Sequence, residues 1–186
     1  MIGWIVLSVI VMTAIYVVGV YNDLVQGRIR VREGWSGIDV QLKRRHDLIP
    51  NLVETVKGYM QHEKGALEEV TRLRSQVMGS STIKDRAVLE NNISQALSAI
   101  LAVAENYPDL KANQSFLDLQ KNLAGVEDEI QLARRYYNGA VRDYNIEVQS
   151  FPGNIIANAF HFEAQEFFEV ATAAERNAPD VKFNPA

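Results

Sequence analysis

Apolar residues recur three and four apart over residues 24–59: Leu24, Val31, Trp35, Ile38, Leu42, Ile49, Leu52, Val56 and Tyr59, with Arg28 and Arg45 interrupting the seam. The spacing averages about 3.5 residues, a coiled-coil-like helical face. The phase survives Pro50, which predicts a kinked but unbroken helix over residues 22–61 with a freed carbonyl near His46. A second long seam, from Phe116 through Leu123, Val126, Ile130, Tyr137 and Tyr144 to Phe151, stops at Pro152 and Gly153. Between the two seams lie shorter ones. Leu67, Val70, Leu73 and Val77 form the first, and Leu89, Ile93, Leu97, Ile100 and Val103 the second. Gly58, His62 and Gly65 mark a possible turn but leave open a helix continuous through His62. Thr82 to Asp85 reads as a capping box, and Pro108 suits a first helical turn.

Ahead of these seams, residues 2–20 are uncharged and mostly apolar, long enough as a helix (roughly 28 Å) to cross a bilayer core. Trp4 and Tyr21 stand where aromatic rings favour the headgroup region. The stretch lacks the basic start and small-residue exit of a cleaved signal, so a retained anchor is expected. Arg28, Arg30 and Arg32 follow it closely. The positive-inside rule then predicts an external amino terminus and a cytoplasmic main domain. The expected fold is all-α. An N-terminal transmembrane helix continues into an antiparallel four-helix bundle with two long helices, and a short C-terminal helical tail follows. The units are an anchor over residues 1–21, a bundle over 22–152 and an aromatic tail over 153–186.

Aligning the two long seams puts antiparallel partners at residue numbers summing to about 173. Asp39 then falls near Arg134, Arg45 near Glu127 and Asp128, and Tyr21 near Pro152. Such pairing would offset the cost of burying these charges. Asp39, Arg45, Asp47 and Asn51, with Lys43, Arg44 and His46, form the richest polar group, open to a structural or a recognition role. Asn138 and Asn145, like Asn22, follow tyrosines near the membrane end and are expected to cap or cross-link the long helices. In the tail, Ile155, Ile156, Phe160, Phe162, Phe167 and Phe168 are dense enough to seek the bundle, a partner or the membrane.

Composition narrows the functions. A formal charge of -4 and a pI near 5.4 do not fit a nucleic-acid binder. Without cysteine, disulfides and thiolate chemistry are excluded. His62-Glu63 has Ala66 where H-E-x-x-H needs its second histidine, and no phosphate loop or nucleophile elbow occurs. No catalytic residue, metal or other cofactor is expected.

Specific runs carry a resemblance: Tyr21-Asn22-Asp23-Leu24-Val25, Trp35-Ser36-Gly37-Ile38-Asp39-Val40-Gln41-Leu42-Lys43-Arg44-Arg45, Asp47-Leu48-Ile49-Pro50-Asn51-Leu52-Val53, Tyr107-Pro108-Asp109-Leu110-Lys111-Ala112-Asn113 and Ala133-Arg134-Arg135-Tyr136-Tyr137-Asn138. Over essentially its whole length the chain resembles the LemA family. The resemblance implies a bacterial single-pass membrane protein with a helical domain and no established catalytic residues. Some family members resemble magnetosome membrane components, and some of their genes adjoin membrane metalloproteases. The expected function is a non-enzymatic scaffold or adaptor in the inner membrane, held in the lipid bilayer by residues 2–20. It would act as a homo-oligomer or with a membrane-protein partner. Membrane remodelling through lipid contact and service as an accessory subunit of a membrane protease are the alternatives.

Overall fold

A computed structural model describes residues 1–60, 63–80 and 82–168 of the chain. Helix α1 spans Ile2–Lys57 without a break, about 84 Å at helical rise. Its first part is solvent-exposed, and burial begins at Leu24. The apolar stretch and the first bundle helix are therefore one rod. The helix ends four residues before the expected residue 61. At Gly58 and Tyr59 the chain turns, with the Tyr59 and Met60 amides both donating to the Val56 carbonyl. Met60, just past the turn, is buried in the same cluster as Leu67 and Leu110. His62 itself lies outside the described residues.

The remaining helices are α2 (Lys64–Met78), α3 (Ile83–Ala104), α4 (Pro108–Lys111), α5 (Gln114–Gln149) and α6 (Gly153–Ala159). Their starts follow local chemistry. The Thr82 hydroxyl accepts from the Asp85 amide at 3.0 Å, and the Asn113 side chain accepts from the Phe116 amide at 3.2 Å. Pro108 opens α4 at a position where its missing N–H costs nothing.

Pro50 sits inside α1 and cannot donate to His46. The orphaned His46 carbonyl instead accepts from Arg74 Nε of α2 at 2.9 Å. The helix defect thus becomes a tie between neighbouring helices.

Two clusters of buried side chains stack along the molecule. In the cluster far from the anchor, α1 (Ile49, Leu52, Val56), α2 (Val70), α3 (Ile93, Ile100) and α5 (Phe116, Leu123) meet. Toward the anchor, α1 and α5 run on together with Leu24, Val31, Ile38, Val141 and Tyr144 between them. Over most of this second half the α2–α3 hairpin is absent, and only the start of α3, with Ile83 and Ala87, reaches into it. The hairpin's place on one side is taken by α6 and the following segment, whose Ile156, Ala157, Phe162 and Phe168 complete the cluster. Gly34 permits the close approach of α5: a Cβ there would stand 3.0 Å from the Tyr137 Cα.

The tail is helical only to Ala159. His161 adopts the left-handed conformation at φ 57°, and residues 162–168 are extended. Both α1 and α3 are long and apolar enough to cross a membrane, but α3 buries Ile93, Leu97 and Ile100 in the core. In α1 the most apolar window is wholly unburied.

Candidate functional site

Two polar assemblies distinguish the bundle. The first centres on Arg45, 1% exposed on the inner face of α1. Its Nη1 donates to Ser94 Oγ at 2.6 Å and to Glu127 Oε2 at 2.7 Å. Its Nη2 donates to the Glu90 carbonyl at 3.0 Å and lies 2.5 Å from Glu90 Oε2. His46 Nε2 stands 3.0 Å from Glu90 Oε1, so one residue of α3 bridges two successive residues of α1. The planar guanidinium fork lets one side chain tie α1, α3 and α5 together. Burial pushes the Glu90 carboxyl up, while His46 and Arg45 more than reverse this, holding it below the usual carboxylate range. A carboxyl held ionised and 3% exposed is an anion anchor, unlike a general acid or base poised near neutrality.

The sequence register predicts the Arg45–Glu127 pair, and the two meet. It does not predict Glu90, because α3 enters the bundle at an angle around the long axis that the seams leave undefined. For the same reason it does not predict the ion partner of Asp39. Asp39 Oδ1 pairs with Arg86 Nη2 of α3 at 2.5 Å. Arg86 also stands over the Trp35 ring, 5.5 Å from its centroid, and Arg134 lies 5.0 Å over the Phe168 ring. Asp47 and Asn51 are exposed and do not join the Arg45 group.

The second assembly holds the tail, and it corrects the expectation that Asn138 and Asn145 cross-link the long helices. Asn145 accepts from the Gln165 amide at 2.8 Å and donates to the Gln165 carbonyl at 2.9 Å. Asn138 treats Phe168 alike, at 2.9 and 3.2 Å. Each carboxamide thus satisfies both backbone groups of one residue. The spacings match: seven helical residues rise about 10.5 Å, close to three residues of extended chain. Tyr137 Oη adds a bond to the Glu166 carbonyl at 2.8 Å. An exposed helix face carrying asparagine at i and i+7 is the signal that could have announced this clamp. Asn22 is exposed and takes no part in it.

The tail's large apolar residues divide into two sets. Ile156, Phe162 and Phe168 are buried against the bundle. Phe162 lies beneath Arg28 and edge-on to Tyr21, while Phe168 meets Trp35. Ile155, Phe160 and Phe167 stay exposed. Phe160 touches Tyr21 at the base of the anchor, where Gly153 also approaches Val20. Exposed Phe151 and Ile155 lie at the same end, in the turn after α5 and in α6. The tail thus returns to the level at which α1 leaves its apolar stretch. Among the described residues, no group of three acidic or histidine side chains could hold a metal.

Comparison with known proteins fits this architecture. Residues 34–183 match the model of the LemA family. Protein LemA of Metamycoplasma hominis is 28% identical over 169 residues, covering 86% of this chain and 77% of that protein. Magnetosome proteins MamQ 1 and MamQ 2 of Paramagnetospirillum magneticum are each 30% identical over 86 residues, 46% of this chain but only 32% of their own length. With the family model spanning most of the chain, this protein belongs to the LemA family.

Proposed function

We propose that the protein is a membrane-anchored, non-enzymatic helical scaffold or adaptor that holds a binding surface close to the bilayer. One observation carries this reading: α1 runs unbroken from the unburied apolar stretch into the bundle core. A continuous helix fixes the height of the domain above the membrane, which a flexible linker would not. The buried charges support it too, since they are consumed in joining helices. In this reading residues 2–20 span the inner membrane, the amino terminus lies outside and the bundle is cytoplasmic. The scaffold engages a membrane-protein partner or further copies of itself.

The exposed Phe151, Ile155 and Phe160 around Tyr21 favour one addition. They form an apolar base that rests in the interfacial region of the same bilayer, where aromatic rings are favoured. Affinity capture of the full chain from native membranes tests the scaffold, with the Ile155→Asp, Phe160→Asp variant alongside. Recovery of a specific partner or of a second copy is the expected result. Loss of all association in the intact protein contradicts it.

A further inference from the structure

The anchor-proximal half of the α1–α5 pair carries a groove of about 630 Å³, inside the range of small-molecule sites (about 300–1,000 Å³). Arg30 of α1 lines it together with Tyr136, Asp143, Tyr144, Ile146 and Glu147 of α5. Its charges are not matched within the chain. Asp143 pairs with Arg142 at 2.9 Å. Arg30 and Glu147 share the groove without meeting, and among the described residues neither has an ion-pair partner within 4 Å. Glu147 Oε2 is buried 3.2 Å from where a Gly27 Cβ would stand, and no donor reaches it. Tyr144 Oη, on a side chain 1% exposed, is equally without a partner. Burial pushes the Glu147 carboxyl above its usual range; Arg30 pulls against this, and Asp23 and Asp143 add to it. A carboxylate left unmatched beside a groove points to a cation from outside the chain.

Glu147 also stands where the chain meets the bilayer. A Cβ on Gly153 would be 2.6 Å from the Glu147 carbonyl oxygen and 3.9 Å from Val20, so this end of α5 abuts the last residue of the apolar stretch. Gly27 packs on Tyr144 and Gly34 on Tyr137. That register sets Glu147 level with Leu24, about 6 Å beyond Val20. The polar layer on each side of a bilayer is roughly 5–8 Å deep. The lower end of the groove is therefore at headgroup height. Arg30 starts about 9 Å higher and can direct its guanidinium down along its aliphatic stem.

Chemistry narrows the ligand. Among the described residues no acidic group could hold a metal ion, and an anionic headgroup brings no counter-charge to Glu147. A primary ammonium does, with three N–H donors, and a phosphate beside it suits the Arg30 fork. We propose that the groove binds the phosphate–ammonium headgroup of a zwitterionic lipid, phosphatidylethanolamine, with the ammonium on Glu147 and the phosphate on Arg30. The inference rests on the membrane-anchored reading above, and recovery of the protein in the membrane fraction reports on that reading separately.

Native mass spectrometry of the full chain, released from nanodiscs of equal phosphatidylethanolamine and phosphatidylglycerol, counts the lipids it retains. The expected excess of phosphatidylethanolamine is about fivefold, or about 1 kcal/mol, the scale of a solvent-screened charge contact. Glu147→Gln brings the two lipids to equal retention, while Glu33→Gln, on an exposed α1 position outside the groove, leaves the excess intact. The Glu147→Gln chain is expected to fold, since the change removes a charge that no ion pair within the chain offsets. Equal retention by the native chain overturns the site, as does an excess that survives Glu147→Gln. Free phosphoethanolamine that displaces the retained lipid at equimolar concentration would assign the groove to a soluble zwitterion and overturn the lipid.

Discussion

Replacing Arg45 by methionine keeps most of the side-chain volume and removes the charge at the centre of the bundle. Glu90, 3% exposed, then keeps only His46, and Glu127 loses its ion pair at a site one-third exposed. An uncompensated buried charge costs about 3–5 kcal/mol. The Glu127 contribution is smaller, because solvent already screens it. Against a domain stability of about 5–15 kcal/mol, the loss lowers the melting temperature by roughly 6–20 °C. Pairing Arg45→Met with Glu90→Leu removes both buried charges, and the double variant is expected to regain most of the loss. Because the folded Glu90 carboxyl sits below its usual range, its contribution is complete above the unfolded pKa and fades as pH falls through the folded value. The gap between wild type and Glu90→Gln should therefore narrow in acid. The assay is heating of the full chain in lipid nanodiscs, read by Trp35 emission after Trp4→Phe removes the other tryptophan. An Arg45→Met loss below about 1 kcal/mol would refute the reasoning, since a surface ion pair costs no more.

Other consequences follow from single contacts. Asn138→Ala with Asn145→Ala deletes four hydrogen bonds to the tail, about 2–6 kcal/mol of local stability, so amide exchange over residues 162–168 should accelerate at least tenfold while α5 stays protected. Unchanged exchange would mean that Phe162 and Phe168 alone secure the segment. Arg74→Met should cost about 1 kcal/mol in the native background and less once Pro50→Ala restores an amide to the His46 carbonyl; equal costs in a double-mutant cycle would argue against the tie. Burial first, then the carboxylates of Asp23 and Asp143, raise the Glu147 pKa against the pull of Arg30. A raised folded pKa gives stability that is full below the unfolded value and is lost as pH rises. Glu147→Gln should therefore gain on wild type as pH rises from below the unfolded carboxylate value through the higher folded one in thermal unfolding, and a constant difference would contradict the shift.

What the sequence disclosed and what it withheld divide along physical lines. A seam fixes which face of a helix is apolar and, between two long seams, a register. The elements, the Thr82 cap and the meeting of Arg45 with Glu127 were legible for that reason. The angular position of α3 about the long pair depends on three-body packing, so Glu90 stayed hidden, as did Arg86, the ion partner of Asp39. The clamp on the tail needs side-chain amides to compete with helix hydrogen bonds after His161, an outcome decided by tertiary contacts. The orphan carbonyl at His46 was legible from Pro50 alone, but its donor Arg74 was not, since nothing local relates the two.

The central claim is that one helix carries the bundle upright on the bilayer with its aromatic base at the surface. Nitroxide labels at Ile10→Cys, Ile155→Cys and Leu117→Cys in the full chain, reconstituted in liposomes, measure depth by oxygen and nickel accessibility. The account predicts position 10 in hydrocarbon, position 155 at the headgroup level and position 117 in water. Position 10 in water, or positions 155 and 117 equally accessible to nickel, would contradict it.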